Sequence, residues 1–415
     1  MKIAILGYGQ EGQAVEKYFK KHYRKELECE IFRVFTPAEI REKDFSAFDL
    51  VFRSPSVPPL RLANETSVTK FFFEHCPCPI IGVTATKGKG TTCSFIKSLL
   101  KAEHEDVYLV GNIGEPAINI LDRLKPSSVV VYELSSFQLW DLEQSPHIAV
   151  IGHIEPDHLN IHKNYGDYLQ AKGNICRYQT PDDYCIYYSK NTKSTELAEL
   201  SSAHHITYPF PIPLYAQEAI KLPGEHNYNN AVAALAAVAG FYGMPSIRYL
   251  SEHQKAIEKG LSNTESLPHR LQFLRTLNHV DYYDDNFSTN VSSTRVAVEA
   301  FPNRDIILIV GGRDKTHNED LADLFEITQR RNVRRAILIG ESGCAIADTF
   351  RDVNNLRYAD TLLAAVLAAQ IEAEAVATEH NQPVVLMSPA AASFDMFENV
   401  YDRGAKYQRL VRKLR

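Results

Sequence analysis

No two of the seven cysteines (Cys29, Cys76, Cys78, Cys93, Cys176, Cys185, Cys344) form a CxxC pair. The sparse, odd-numbered set argues against a disulfide framework and a structural zinc site. It predicts free, mostly buried thiols in a reducing cytoplasm. No apolar run reaches the roughly 18 residues of a membrane span. The opening MKIAILGYGQEG turns polar too soon for a signal peptide and reads as a first strand. Basic residues are not in excess: 45 Lys and Arg face 51 Asp and Glu, a formal charge of −6. That excludes a dedicated nucleic-acid binder, which needs clustered cations, but leaves room for a small polyanionic substrate. Short-period repeats and low-complexity segments are absent. What remains is an ordinary globular composition, 45% hydrophobic and 23% charged. At roughly 100–200 residues per domain, 415 residues predict two to four domains.

Short β-branched runs alternate with helix-period stretches, the pattern of βαβ units and parallel sheets. The expected class is α/β in three blocks. Residues 1–77 open with strand Lys2–Leu6, a Gly-rich turn and a helix from about Glu11 to Lys21. Residues 78–266 carry strands at Ile80–Val83, Ser128–Leu134, Ile148–Ile154 and Tyr184–Tyr188, with an Ala-rich helix near Asn229–Gly240. Residues 267–415 carry strands at Val280–Tyr283, Asp305–Val310, Arg335–Ile339 and Pro383–Met387. The tail places Tyr407, Leu410, Val411 and Leu414 on one helical face, whose basic neighbours read as a solvated face.

Chemistry concentrates at a few turns. Gly82-Val-Thr-Ala-Thr86-Lys87-Gly88-Lys89-Gly90-Thr91-Thr92 follows an apolar strand and opens an amphipathic helix. Backbone N–H groups at such a turn converge, the helix N-terminus adds positive charge, a lysine reaches phosphates and a hydroxyl holds Mg²⁺. The spacing departs from the usual phosphate loop: five residues separate Gly82 from Gly88, and Gly90 follows the lysine, so Thr91 has to supply the hydroxyl. Gly7-Tyr-Gly9-Gln10-Glu11-Gly12 is a weaker signal, because the next strand, ending near Phe35-Thr36, brings no acid for a dinucleotide ribose. A diphosphate ligand fits it better, and a structural turn fits equally well. Glu133 ends a strand where α/β sheets bind ligands, and its carboxylate suits Mg²⁺. His158 and His162 flank Leu159, so no HExxH zinc motif forms. Lys172 is a surface lysine unless it faces phosphates.

Taken together, GVTATKGKGTT (82–92), GNIG (111–114), YELSSFQL (132–139), EPDHLNIH (155–162), AK (171–172), GEHNYNNAVAA (224–234), LPHRLQ (267–272), DNFSTN (285–290), GGRDK (311–315) and SPAAASFDMFENVYDRG (388–404) form an ordered series spanning the chain. The series resembles the Mur ligases of peptidoglycan synthesis, and it lacks the DNPR-type motif of the diaminopimelate-adding members. The resemblance implies a Rossmann-like N-terminal domain for the UDP substrate, a central P-loop ATPase domain with a parallel sheet, and a Rossmann-like C-terminal domain for the amino acid. It implies a cytoplasmic, monomeric enzyme that uses ATP and Mg²⁺ to join D-glutamate to UDP-N-acetylmuramoyl-L-alanine, with no membrane or nucleic-acid partner. Related ligases that add L-glutamate or act on folate are the alternative, as is a nucleotide-binding regulatory protein that has lost catalysis.

By the same resemblance, Lys89 holds ATP phosphates, with Thr86, Lys87, Gly88, Gly90, Thr91 and Thr92 around them. Thr91 and Glu133 hold one Mg²⁺, His158 a second, and Lys172 matches a carbamylated lysine. Asn230 and Asp285 hold the nucleoside and Arg270 the phosphates. Gly7, Gly9, Gln10, Glu11 and Ser54 line the UDP pocket. Asn112, Ser135 and Gln138 serve the acceptor, and Thr289, Lys315, Ser393 and Phe394 the incoming glutamate. Four positions depart from the family pattern: Ala85 for a loop glycine, Gly90 for a hydroxyl residue, Phe287 for a lysine, and Ser56 for a glycine. A third block closing over the nucleotide is also expected.

Overall fold

A computed structural model describes residues 1–23, 28–32, 43–313 and 319–415, without the side chains of 319 and 320. They form two compact units, Met1–Lys221 with His226–Thr264, and Leu222–Glu225 with Glu265–Arg415.

The first unit holds two parallel sheets. Among the described residues, one contains β1 (Lys2–Leu6), β2 (Glu28–Phe32), β3 (Leu50–Arg53) and β4 (Glu65–Ser67) in the order β2-β1-β3-β4. The other contains β5 (Ile80–Thr84), β6 (Val107–Gly111), β7 (Val129–Glu133), β8 (Ile148–Ile151), β9 (Tyr184–Tyr188) and β10 (His204–Tyr208) in the order β10-β9-β8-β5-β7-β6. Every residue of β5, β7 and β8 is buried, which is why these strands read as unbroken apolar runs: helices cover both faces. Parallel pairing sets Val83 beside Glu133 and Thr84 beside Ile151, so the turns after β5, β7 and β8 share one edge. One hydrophobic core runs through both sheets, from Ile3, Phe19, Phe52 and Phe72 to Val130, Tyr132 and Ile151. Continuous burial of that kind makes the two sheets one unit.

The second unit holds β11 (Gln272–Leu277), β12 (Val280–Asp284), β13 (Ile306–Val310), β14 (Val333–Leu338), β15 (Leu356–Tyr358) and β16 (Val384–Met387), ordered β11-β12-β16-β13-β14-β15. The expectation of parallel strands needs one correction here, since β11 runs antiparallel to β12. Asn278 and His279 both have positive φ, 51° and 62°, and close a two-residue hairpin between the two strands. No glycine marks that turn, so its sequence signal is weak. The C-terminal helix Val400–Lys413 buries Tyr407 and Val411, as its periodicity predicts.

The cysteines are all free, but only Cys93, Cys176 and Cys185 are buried. Cys344 is exposed and the other three are partly covered, against the expectation of mostly buried thiols. Among the described residues no single helix is long and apolar enough to cross a membrane. The proposed end of the second strand at Phe35-Thr36 lies outside the described residues.

Candidate active site

The turn between β5 and the helix Lys89–Lys101 is built on Gly88, which takes φ +85° as the residue before the helix. A Cβ there would strain the backbone and stand 2.7 Å from Asn230 Oδ1. Asn230 Oδ1 also accepts from the Thr92 hydroxyl at 3.3 Å. Thr86 is locked by its neighbours: its N–H donates to the His153 carbonyl at 2.7 Å, and its hydroxyl meets Tyr168 OH at 2.8 Å and the Glu155 backbone at 3.0 Å. Lys87 pairs with Glu155 at 2.9 Å. Lys89 folds back over the turn, with Nζ donating to the carbonyls of Ala85 (2.9 Å) and Thr86 (3.1 Å). A glycine-rich turn leading into a helix N-terminus, with a lysine beside it, is an arrangement that can receive phosphate.

Three residues distant in sequence come to the same edge. Glu133, at the end of β7, is buried; Asn112 Nδ2 donates to its Oε1 at 3.0 Å, while Oε2 has no hydrogen-bond partner. Lys172, on the helix Tyr165–Gly173, is buried and donates to Thr84 Oγ1 (3.2 Å) and the Ala85 carbonyl (2.8 Å). Burial pushes its ammonium well below the usual lysine range; the Lys89 charge pushes the same way, and Asp157 and Glu133 oppose it. His158 is exposed, with φ +54°, against the Phe137 ring. Its proton affinity is lowered by desolvation, opposed by Asp157, and lowered further by Lys89 and Lys172. Lys89, Glu133, His158 and Lys172 therefore form one electrostatically linked group. With the half-buried Thr91, the set offers a hydroxyl and a carboxylate with a free buried oxygen, donors that suit a hard divalent cation, and an imidazole besides. His162 is structural instead: it bridges Asp167 and Ser136, each at 2.9 Å, and stacks on Phe137.

At the matching edge of the first sheet, Gly7 has φ +86° and Gly12 lies so close that a Cβ would stand 2.3 Å from the Gly7 carbonyl oxygen. Those two glycines are explained by the turn itself. Gly9 is not, for nothing lies within 4 Å of where its Cβ would be. Gln10 is exposed. Ser54 donates to the Gly7 carbonyl at 2.9 Å. Ser135 and Gln138 form a capping box, and Gln138 Nε2 also donates to Glu11 Oε1 at 3.1 Å. Burial raises the Glu11 carboxyl to about 7, against the Gln138 hydrogen bond and the Arg53 charge.

In the second unit, Asp285 accepts from the Leu271 N–H (3.0 Å) and Ser388 Oγ (2.7 Å), and burial raises it to about 6. Arg270 is exposed over the Phe287 ring. Thr289 is half-buried, Ser393 buried, and Phe394 60% exposed. Lys315 lies outside the described residues. Sequence reading assigned no role to Arg403, yet it is fully buried. Its guanidinium donates to Asn286 Oδ1 (2.6 Å), the Asn286 carbonyl (3.2 Å) and the Ala391 carbonyl (3.1 Å), tying the turn after β12 to the turn after β16. Arg53 was missed too. Both are buried cations whose partners are set by long-range pairing, so no local pattern marks them.

Two family profiles match, the Mur ligase middle domain over residues 83–213 and the Mur ligase glutamate ligase domain over 269–390. A relative from Clostridium tetani is 30% identical over the whole of this chain and 97% of its own, and one from Clostridium acetobutylicum is 31% identical with the same coverage. The chain belongs to the Mur ligase family. Both relatives carry the name UDP-N-acetylmuramoylalanine–D-glutamate ligase. Among solved structures, the fold is similar to UDP-N-acetylmuramate-alanine ligase MurC of Thermotoga maritima (17% identity, TM-score 0.59, 99% of each chain). It is also similar to Mycobacterium tuberculosis folylpolyglutamate synthase (15% identity, TM-score 0.59, 84% of this chain and 95% of that one).

Proposed function

We propose that this chain is an ATP-dependent ligase joining D-glutamate to UDP-N-acetylmuramoyl-L-alanine, as a cytoplasmic monomer in peptidoglycan synthesis. The observation that carries the reading is the meeting of Lys172 with the Gly-rich turn of Lys89, beside the half-satisfied carboxylate of Glu133. Residues 1–77, 78–266 and 267–415 are assigned to the UDP substrate, ATP and the amino acid. Thr86 to Thr92 are assigned to the triphosphate, and Asn230 in the first unit and Arg270 and Asp285 in the second are each assigned to the nucleotide. Gly7, Gly9, Gln10, Glu11, Ser54, Asn112, Ser135 and Gln138 hold the acceptor. Thr289, Lys315, Ser393 and Phe394 take glutamate, a dianion that needs both charge and directed donors.

The acceptor's alanyl carboxylate attacks the γ-phosphorus of ATP, ADP departs, and an acyl phosphate forms. The glutamate amine then attacks the acyl carbon and loses a proton, and inorganic phosphate leaves through a tetrahedral intermediate. The protein's part is positioning and charge neutralisation, with Lys89 facing the transferring phosphoryl group. Mg²⁺, held by Thr91, Glu133, His158 and Lys172, would supply further neutralisation of phosphate oxygens. A buried amine of low proton affinity is the form that adds CO₂: an N–C bond forms at Lys172 Nζ, a proton leaves, and a carbamate oxygen donor results. The test is an amide-forming assay with acceptor, ATP, Mg²⁺ and each glutamate enantiomer. Phosphate release that needs acceptor and D-glutamate together supports the reading; release with L-glutamate alone, or none, refutes it.

A further inference from the structure

Arg53 ends β3 and has no solvent-exposed side-chain surface, although nothing in its local sequence calls for a buried cation. Its guanidinium has three kinds of partner. Nε lies 3.2 Å from Glu65 Oε1, Nη1 donates to the Val57 carbonyl at 2.8 Å, and Nη2 donates to Asp141 Oδ1 at 2.5 Å. Glu65 is fixed in turn by the N–H groups of Leu60 and Leu62. Glu65 and Val57 belong to the first sheet and the turn that carries Ser54. Asp141 belongs to the second sheet's side, just past the short helix Ser136–Leu139 that carries Gln138. A second link runs parallel to the first, from Gln138 Nε2 to Glu11 Oε1. Residues assigned to the acceptor thus sit on two different sheets that share one core, and these two polar bridges join them next to the assigned residues.

A buried cation is expensive to desolvate, and a hydrophobic residue at that place would fill the same volume without that cost. What a planar five-donor fork adds is a defined distance and angle between its partners. We propose that Arg53 is a positioning residue for the UDP acceptor: through Asp141 it fixes the Ser54 turn of the first sheet against the helix that carries Gln138. The proposal rests on the acceptor assignment above. It predicts that loosening the bridge misplaces acceptor contacts while leaving the Lys89 turn intact.

Asp141 is the partner to alter, because removing Arg53 would strand Glu65 and could unfold the chain. Asp141→Ala should raise KM for UDP-N-acetylmuramoyl-L-alanine about tenfold, as lost binding of misplaced acceptor contacts. KM for ATP and kcat should stay within about twofold. Asp141→Asn, which still accepts from the guanidinium, should recover most of the loss. An acceptor KM within twofold of wild type in Asp141→Ala, or equal increases in the ATP and acceptor KM, overturns the proposal. Hydrogen exchange supplies a readout that does not depend on the reaction. Asp141→Ala should speed exchange at 50–57 and 135–142 relative to 89–101, and unchanged exchange there overturns the bridge itself. Wild-type protein inactive with the acceptor would instead count against the proposed function, and the exchange result would still decide the bridge.

Discussion

Lys172 Nζ stands 2.8 Å from the carbonyl oxygen of Ala85, across 87 positions of sequence. The contact places a buried amine against the turn from which Lys89 rises, and the Lys89 charge adds to burial in disfavouring the Lys172 ammonium.

Lys89 is the half-buried partner in that relationship. Lys89→Ala should cut kcat/KM for ATP-dependent amide formation by about a hundredfold or more, the scale of losing one group that neutralises transition-state charge. Coupled ADP-release kinetics measure it, and activity within tenfold of wild type contradicts the role.

Lys172→Ala should abolish turnover if the amine works as a carbamate. Short carboxylic acids should then restore part of the rate, because they return a carboxylate to the cavity. Intact mass of wild-type protein in bicarbonate should show one added CO₂ that is missing from the variant.

Glu11 gives a pH dependence with a definite sign. Its carboxyl is raised from 4.5 to about 7 by burial, so the folded state holds a proton that the unfolded state has already released. Stability from this group is present below about 4.5 and is lost as pH climbs to about 7. Ionised Glu11 would also oppose a diphosphate at the Gly7 turn, so the acceptor KM should rise from pH 6 to 8. Glu11→Gln should flatten both trends, as urea unfolding and initial-rate kinetics would reveal. A variant with the same pH profile as wild type rules out Glu11 as the source.

Arg403→Met should destabilise the second unit by about 3 kcal/mol or more, because buried carbonyls of Asn286 and Ala391 lose their donors. Proteolysis should cut first within 265–415. A melting curve matching wild type would show that the two turns hold without the guanidinium.

The parts legible in the sequence are those where local order and chemistry coincide. The Gly82–Thr92 stretch announces strand, turn and helix within 11 residues, and its glycines, lysine and threonines are adjacent. Buried strands such as Ile306–Val310 declare themselves by composition alone. The hairpin at Asn278-His279 did not, because it uses two non-glycine residues at positive φ. Arg53, Asp141 and Arg403 did not either: a charged residue in sequence is by default a solvated one.

By itself the amino-acid order determined the α/β class, the Gly-rich strand–turn–helix of 82–92 and the roster of charged groups around it. Each follows from neighbours along the chain, from periodicity, glycine placement and side-chain type. Only the folded arrangement decided that Glu133 keeps an unpaired buried oxygen, that Lys172 is desolvated against Ala85, and that Arg53 ties one sheet to the next. Strand register and core packing bring those groups together, and both are set by contacts between segments scores of residues apart.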